Sequence, residues 1–217
     1  MKKSTVRLIA CLLSAVLLLC AVGCKKSDKD GEKAPDSNTD TKATLDYSGV
    51  MPSDYIKSIS YKGLEIALES ENASKQNAVW DAVLGSVKID TYPEEAVNYY
   101  FEQTKRLYME SVDNNAEDYL ALLERRGITE SDMLSEAKAL VKKDLALLYI
   151  TQTEKISVTD AEKSSLFDKY VQRYVDTYGY DKAYVMENMS ELIYESMLYD
   201  KTTEFLILNN TFKITEA

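Results

Sequence analysis

The chain divides first by its pattern of apolar and polar positions. Leu8 to Leu19 is a nearly unbroken apolar run behind Lys2, Lys3 and Arg7. Residues 25–46, KKSDKDGEKAPDSNTDTKATLD, carry almost no apolar side chain. Such a stretch cannot bury enough surface to offset the entropy of ordering, so it reads as a disordered tether. Ile59 and Tyr61, then Leu64, Ile66 and Leu68, alternate across 59–68 and predict a short strand interrupted by Gly63. No other segment offers a good strand pattern.

From Ser74 onward the apolar spacing changes to three and four, the helical period. Ser74 caps a helix carrying Val79, Trp80, Val83, Leu84 and Val87. Pro93, followed by Glu94 and Glu95, opens a helix through about Val112, because proline and acids both suit a first turn. AEDYLALLERRG (116–127) is a short amphipathic helix closed by Gly127. Thr129–Asp132 and Thr159–Glu162 have the spacing of capping boxes. The first opens a long helix burying Leu134, Ala137, Val141, Leu145 and Leu148. The second opens a helix with Leu166, Phe167, Tyr170, Val171, Tyr174 and Val175 inward, ending at Gly179. A short helix in YDKAYVMENM (180–189) and a long one in SELIYESMLYDKTTEFLIL (190–208) complete the body. The expected fold class is mainly α with a short N-terminal β segment.

The apolar run ends in LLLCAVGCKK (17–26). A positive start, an apolar stretch too short for a stable span and small residues at its end are the parts of a secretory signal peptide. Ala21-Val22-Gly23-Cys24 resembles the lipobox of bacterial lipoproteins. The resemblance implies cleavage before Cys24 and a lipid on its thiol, since acylation at one residue by several chains anchors durably. The expected organisation is a signal peptide over 1–23, a tether over 24–46 and a helical domain over 47–217. Cys11 and Cys20 fall in the segment to be removed, so no thiol remains for a disulfide, a metal or a nucleophile.

Charge and residue types narrow the function. The formal charge is -10, and removing 1–23 takes away three positive charges and no acid, giving -13. An acidic body argues against nucleic acid and against flat binding to anionic lipid. With 0 histidines, a Ser-His-Asp triad and His-ligated zinc are excluded. The 7 glycines form no phosphate-binding loop. VDNNAED (112–118) has oxygen ligands but lacks the glycine and terminal glutamate of an EF-hand, and reads as an inter-helix turn. No enzyme activity, cofactor or metal is expected.

Tyrosine is over-represented: 16 residues against 4 phenylalanines and 1 tryptophan. Tyr180, Tyr184, Met186, Met189, Tyr194 and Met197 cluster in the last third. Amphipathic tyrosine and adaptable methionine suit a surface that holds varied apolar segments, so these six are the candidate client contacts. The same spacing also suits core packing.

YKGLEI (61–66), Trp80, VKIDTYPEEAVNYYFEQ (87–103), the segment from ERRGITESD to DTYGYD (124–181) and KTTEFLILNNTFKI (201–214), in that order, resemble the helical C-terminal domain of trigger factor. That domain is related in fold to the peptide-binding core of SurA-type chaperones. The likeness runs over roughly Lys62 to Ile214. The family's FKBP-type prolyl isomerase has no room between Leu68 and Trp80, and its ribosome-docking loop is missing. What the resemblance implies is a lipid-anchored, extracytoplasmic chaperone that holds unfolded or newly exported polypeptides without ATP. An adaptor lipoprotein binding one protein partner is the alternative, and an accessory to a separate isomerase is a further one.

Overall fold

The computed structural model describes Leu45, Tyr47 and residues 49–215. The expected signal peptide, Cys24 and nearly all of the expected tether lie outside the described residues. The described chain is mainly helical, with short strands near its start and end.

Helix boundaries follow side-chain caps. Helix α1 (Lys75–Ser86) starts where Ser74 Oγ accepts from the Asn77 amide, and α2 (Glu94–Glu110) follows Pro93. The Asn115 side chain caps α3 (Ala116–Arg126), which ends on Gly127 in the left-handed region. Capping boxes at Thr129–Asp132 and Thr159–Glu162 open α4 (Glu130–Glu154) and α5 (Asp160–Tyr178). Helix α5 ends on Gly179, also left-handed. Asp181 caps α6 (Lys182–Asn188), and α7 (Ser190–Leu208) follows directly. Residues 111–114 form the turn between α2 and α3, where Asp113 and Asn114 both have positive φ.

The strand expectation needs correction. Strands form at Ile56–Ser58 (β1), Glu65–Leu68 (β2), Lys88–Ile89 (β3) and Thr211–Ile214 (β4). β1 pairs antiparallel with β3, and β2 pairs parallel with β4, from Glu65 opposite Thr211 to Leu68 opposite Ile214. Residues 59–64 leave the strand because their backbone groups are taken elsewhere. The Ser60 amide donates to Ser86 Oγ, the Gly63 amide to the Asn209 carbonyl, and the Leu64 amide to Asn210 Oδ1. Gly63 turns the chain at φ 70°, which only glycine adopts freely. Asn210 Nδ2 also donates to the Tyr61 and Leu206 carbonyls. One asparagine thus ties the 61–64 turn to the end of α7 and sets β2 beside β4.

The apolar interior falls into three clusters. The main core joins α1 (Val79, Trp80, Val83), α2 (Ala96, Val97), α4 from Ala137 to Ile150, and Leu206 of α7. Leu45 and Tyr47 pack against it. A second cluster holds Tyr170 and Val171 of α5, Val185 of α6, and Met189, Ile193 and Met197 at the start of α7. A third joins Tyr119 and Leu123 of α3 to Met133 of α4. The long helices α4 and α7 therefore share the main core toward their C-terminal ends, while their N-terminal ends enter different clusters. On α4 the buried stripe is Met133, Ala137, Val141 and Leu145; Leu134 is 38% exposed, one position off that stripe. Val87 lies just past α1 yet is buried, and α2 stops at Glu110 before Val112.

Candidate functional site

The second cluster ends in a chain of tyrosines. Tyr174 and Tyr178 share one face of α5, four residues apart. Gly179 then reverses the backbone, Tyr180 follows, and the Asp181 cap starts α6, which carries Tyr184. Successive ring centroids are 5.5, 6.2 and 6.2 Å apart from Tyr174 through Tyr178 and Tyr180 to Tyr184. The first two contacts are edge-to-face (64° and 66°) and the third is stacked (23°). Such contacts add about 0.5–1.5 kcal/mol each beyond area burial.

The inner end of this ladder is fixed. The Tyr174 hydroxyl and Ser196 Oγ are hydrogen-bonded at 2.8 Å, joining α5 to α7. Desolvation by burial raises the Tyr174 pKa, so the ring stays neutral at physiological pH. The Tyr170 hydroxyl donates to Asp200 Oδ2 at 2.9 Å, and Arg173 Nη1 reaches the same oxygen at 2.7 Å. Desolvation and then the Asp200 carboxylate push the Tyr170 hydroxyl up to about 12. The outer end is open: Tyr184 is 50% and Met186 44% exposed.

The six candidate contacts therefore divide. Tyr184 and Met186 lie at the surface; Tyr180 and Tyr194 are half-buried against the second cluster. Met189 and Met197 are corrected to core positions, only 8% and 3% exposed. The physical reason is the helical turn: Met189, Ile193 and Met197 recur every four residues on the face of α7 that meets α5 and α6. Fully burying a side chain such as Ile193 is worth about 2 kcal/mol, which draws this stripe inward.

Two electrostatic features went unseen in the sequence. Asp144, on α4, accepts from the Tyr47 hydroxyl at 2.9 Å and the Tyr100 hydroxyl at 2.6 Å. Burial raises the Asp144 carboxyl, and the two donors pull it partly back. This contact holds the segment entering the domain against α2 and α4. Glu195, on α7 between the buried Ile193 and Met197, is pushed up to about 7 by desolvation first, then by Asp144 and Glu191. The Glu195 side chain is nonetheless exposed to water, which screens its carboxylate.

A cavity of about 290 Å³ lies elsewhere, between the 112–113 turn and α3, lined by Asp113, Asp118, Leu122 and Arg125. Among the described residues no group of three or more His, Cys, Asp or Glu side chains is placed to hold a metal ion. None of the described helices is long and apolar enough to cross a membrane. Compared with protein-family models, curated proteins and solved structures, the chain has no match.

Proposed function

We propose that this chain is a membrane-anchored, extracytoplasmic, chaperone-like lipoprotein that holds unfolded or newly exported polypeptides by apolar contacts, without ATP and without catalysis. One observation carries the reading. The lobe formed by α5, α6 and the start of α7 has its own apolar cluster and leaves Tyr184 and Met186 at its surface, at the end of a tyrosine ladder. Aromatic and thioether groups give contact area that adapts to varied partners. The likeness of the sequence to the trigger factor C-terminal domain supports the same role. Cys24 carries the lipid in this reading, and the tether lets the acidic body sample the space beside the membrane.

The test is light scattering of a chemically unfolded, aggregation-prone client diluted into buffer with the full chain. Suppression near stoichiometric amounts, without nucleotide and for several unrelated clients, is expected. Suppression for none, by a chain shown to be folded and helical, removes the holding role. The anchor has its own test: Cys24→Ser should leave an unprocessed or unlipidated chain. Membrane retention with normal processing would remove the lipoprotein reading.

A second reading, an adaptor for one protein partner, draws on the compactness of the open tip. The other exposed large apolar side chains, such as Leu120 (65%), Leu208 (77%) and Met51 (56%), lie on other elements. Isolated exposed apolar residues are ordinary and mark no surface by themselves. Binding confined to one client in the scattering series would favour this second reading.

A further inference from the structure

We infer that the surface beneath residues 45–50 is a seat for a polypeptide segment in which two apolar side chains flank a tyrosine. It is filled in cis by the chain's own entry segment and opens to a held polypeptide when that segment leaves. The opening to a held polypeptide rests on the holding role proposed above; the seat itself does not.

The occupant shows what the seat takes. Leu45, Tyr47 and Val50 are half-buried and pack against the main core. The Val50 amide donates to the Tyr47 carbonyl at 3.0 Å, and Gly49 turns the chain between them at φ 92°. Among the described residues of this segment, the Tyr47 hydroxyl on Asp144 Oδ2, at 2.9 Å, makes the one hydrogen bond to the rest of the domain. No helix or strand carries these residues. Two aliphatic side chains and one tyrosine therefore hold the segment in place.

The seat stays satisfied when its occupant leaves. Asp144 Oδ2 also accepts the Tyr100 hydroxyl, at 2.6 Å, so the carboxylate keeps a donor. Tyr55 closes the single 3-10 turn Pro52–Asp54 through its own amide, at 3.1 Å from the Pro52 carbonyl. Pro93 and Ala96 belong to the start of α2. An arriving hydroxyl or amide can replace Tyr47 on Oδ2 and leaves no charge unpaired in the exchange.

The fit in cis is incomplete. Between Leu45, Tyr47 and Val50 on the segment and Tyr55, Pro93 and Ala96 beneath it a cavity of about 180 Å³ remains. Side chains bordering it lack packing partners on that side. A segment with bulkier apolar groups at these positions gains the contact that Leu45 and Val50 leave. Proximity works the other way. The entry segment is joined directly to the domain, so it competes at about millimolar effective concentration. The seat is closed at rest and yields to a segment that fills it better.

The experiment is fluorescence anisotropy of labelled peptides titrated with the full chain in mild detergent. One peptide copies residues 43–52, ATLDYSGVMP; a second keeps only its Leu, Tyr, Gly and Val in place; a third is a scramble. Leu45→Ala with Tyr47→Ala in the chain weakens the cis segment. That variant is expected to bind the first two peptides about tenfold tighter than the parent does, and the scramble no tighter. Tyr47→Phe in the chain, which removes only the hydroxyl, should raise binding by a smaller factor. Circular dichroism checks that the fold is kept, and if the double variant unfolds, Tyr47→Phe decides alone. Equal binding by parent and variants, equal binding of the scramble, or no peptide binding by a folded variant overturns the inference. An unfolded client should compete the bound peptide away. A client kept from aggregating without displacing the peptide leaves the holding role standing and overturns its use of this seat. Peptide binding by a chain that suppresses no client keeps the seat and removes the holding role.

Discussion

The Lys201 ammonium lies 2.6 Å from Glu162 Oε1, joining the middle of α7 to the first turn of α5. The same ammonium donates to the Ser157 carbonyl at 2.8 Å, and Glu162 Oε2 accepts the Thr159 amide and hydroxyl, both at 2.8 Å. One glutamate thus caps its helix and ties the tyrosine-bearing lobe to α7. The lysine first, and the Thr159 amide next, hold the Glu162 carboxyl at about 2.

Lys201→Met should release that tie. The Glu162 pKa is expected to rise from about 2 toward its ordinary value of 4.5, read by nuclear magnetic resonance titration. Amide exchange across 155–162 should quicken, while overall stability changes little, because exposed ion pairs contribute little. The sign follows from a lowered acid pKa. The stabilisation from Glu162 is present above pH 4.5 and is lost as pH falls through about 2. An unchanged Glu162 titration in the variant would remove the role given to Lys201.

Trp80 joins the same stretch of α7, on either side of Lys201, to α1. Its indole Nε1 donates to Thr203 Oγ1 at 2.8 Å, and its ring stacks on Tyr199 with centroids 5.1 Å apart. Trp80→Phe keeps most of the apolar bulk but leaves a buried hydroxyl without its donor. The expected loss is about 1–2 kcal/mol in urea denaturation followed by circular dichroism. A loss below a few tenths of a kcal/mol would show the hydrogen bond to be dispensable.

Glu195 should make the fold sensitive to pH in the opposite sense to Glu162. Its pKa is raised from 4.5 to about 7, so its favourable contribution is present below pH 4.5 and is lost as pH rises through about 7. Glu195→Gln should match the parent near pH 4 and exceed it near pH 8, by about 1 kcal/mol because water still screens the side chain. Thermal melts at both pH values decide this. An equal effect at both would assign the change to packing.

Lys155 closes α4 in the left-handed conformation (φ 55°, ψ 39°), where α3 and α5 use Gly127 and Gly179. A side chain costs about 1 kcal/mol there, so Lys155→Gly should stabilise the domain by up to that amount. Denaturant midpoints measure it. Destabilisation would mean that the Lys155 side chain makes a compensating contact.

Much of the helical frame was legible because its signals are local. The Thr129–Asp132 and Thr159–Glu162 boxes and the glycines at 127 and 179 act within one turn of chain, and the structure places helix ends at each. The site was legible only in part. Met186 stands three residues before Met189 and eleven before Met197, all spacings of the helical period, so periodicity could not say which of these methionines the lobe buries.

By itself the sequence determined the capped helix starts and the two glycine stops, because caps and left-handed stops need only neighbours along the chain. The tertiary structure alone decided what lies far apart in sequence. Asn210 reaches Leu64 across 146 positions and sets β4 beside β2, a pairing that four residues of local strand preference do not signal. It also decided which face of each helix is covered: on α4 Met133 rather than Leu134, and on α6 Val185 rather than Tyr184. Burial is a property of what packs opposite a side chain, and that partner is supplied by the fold.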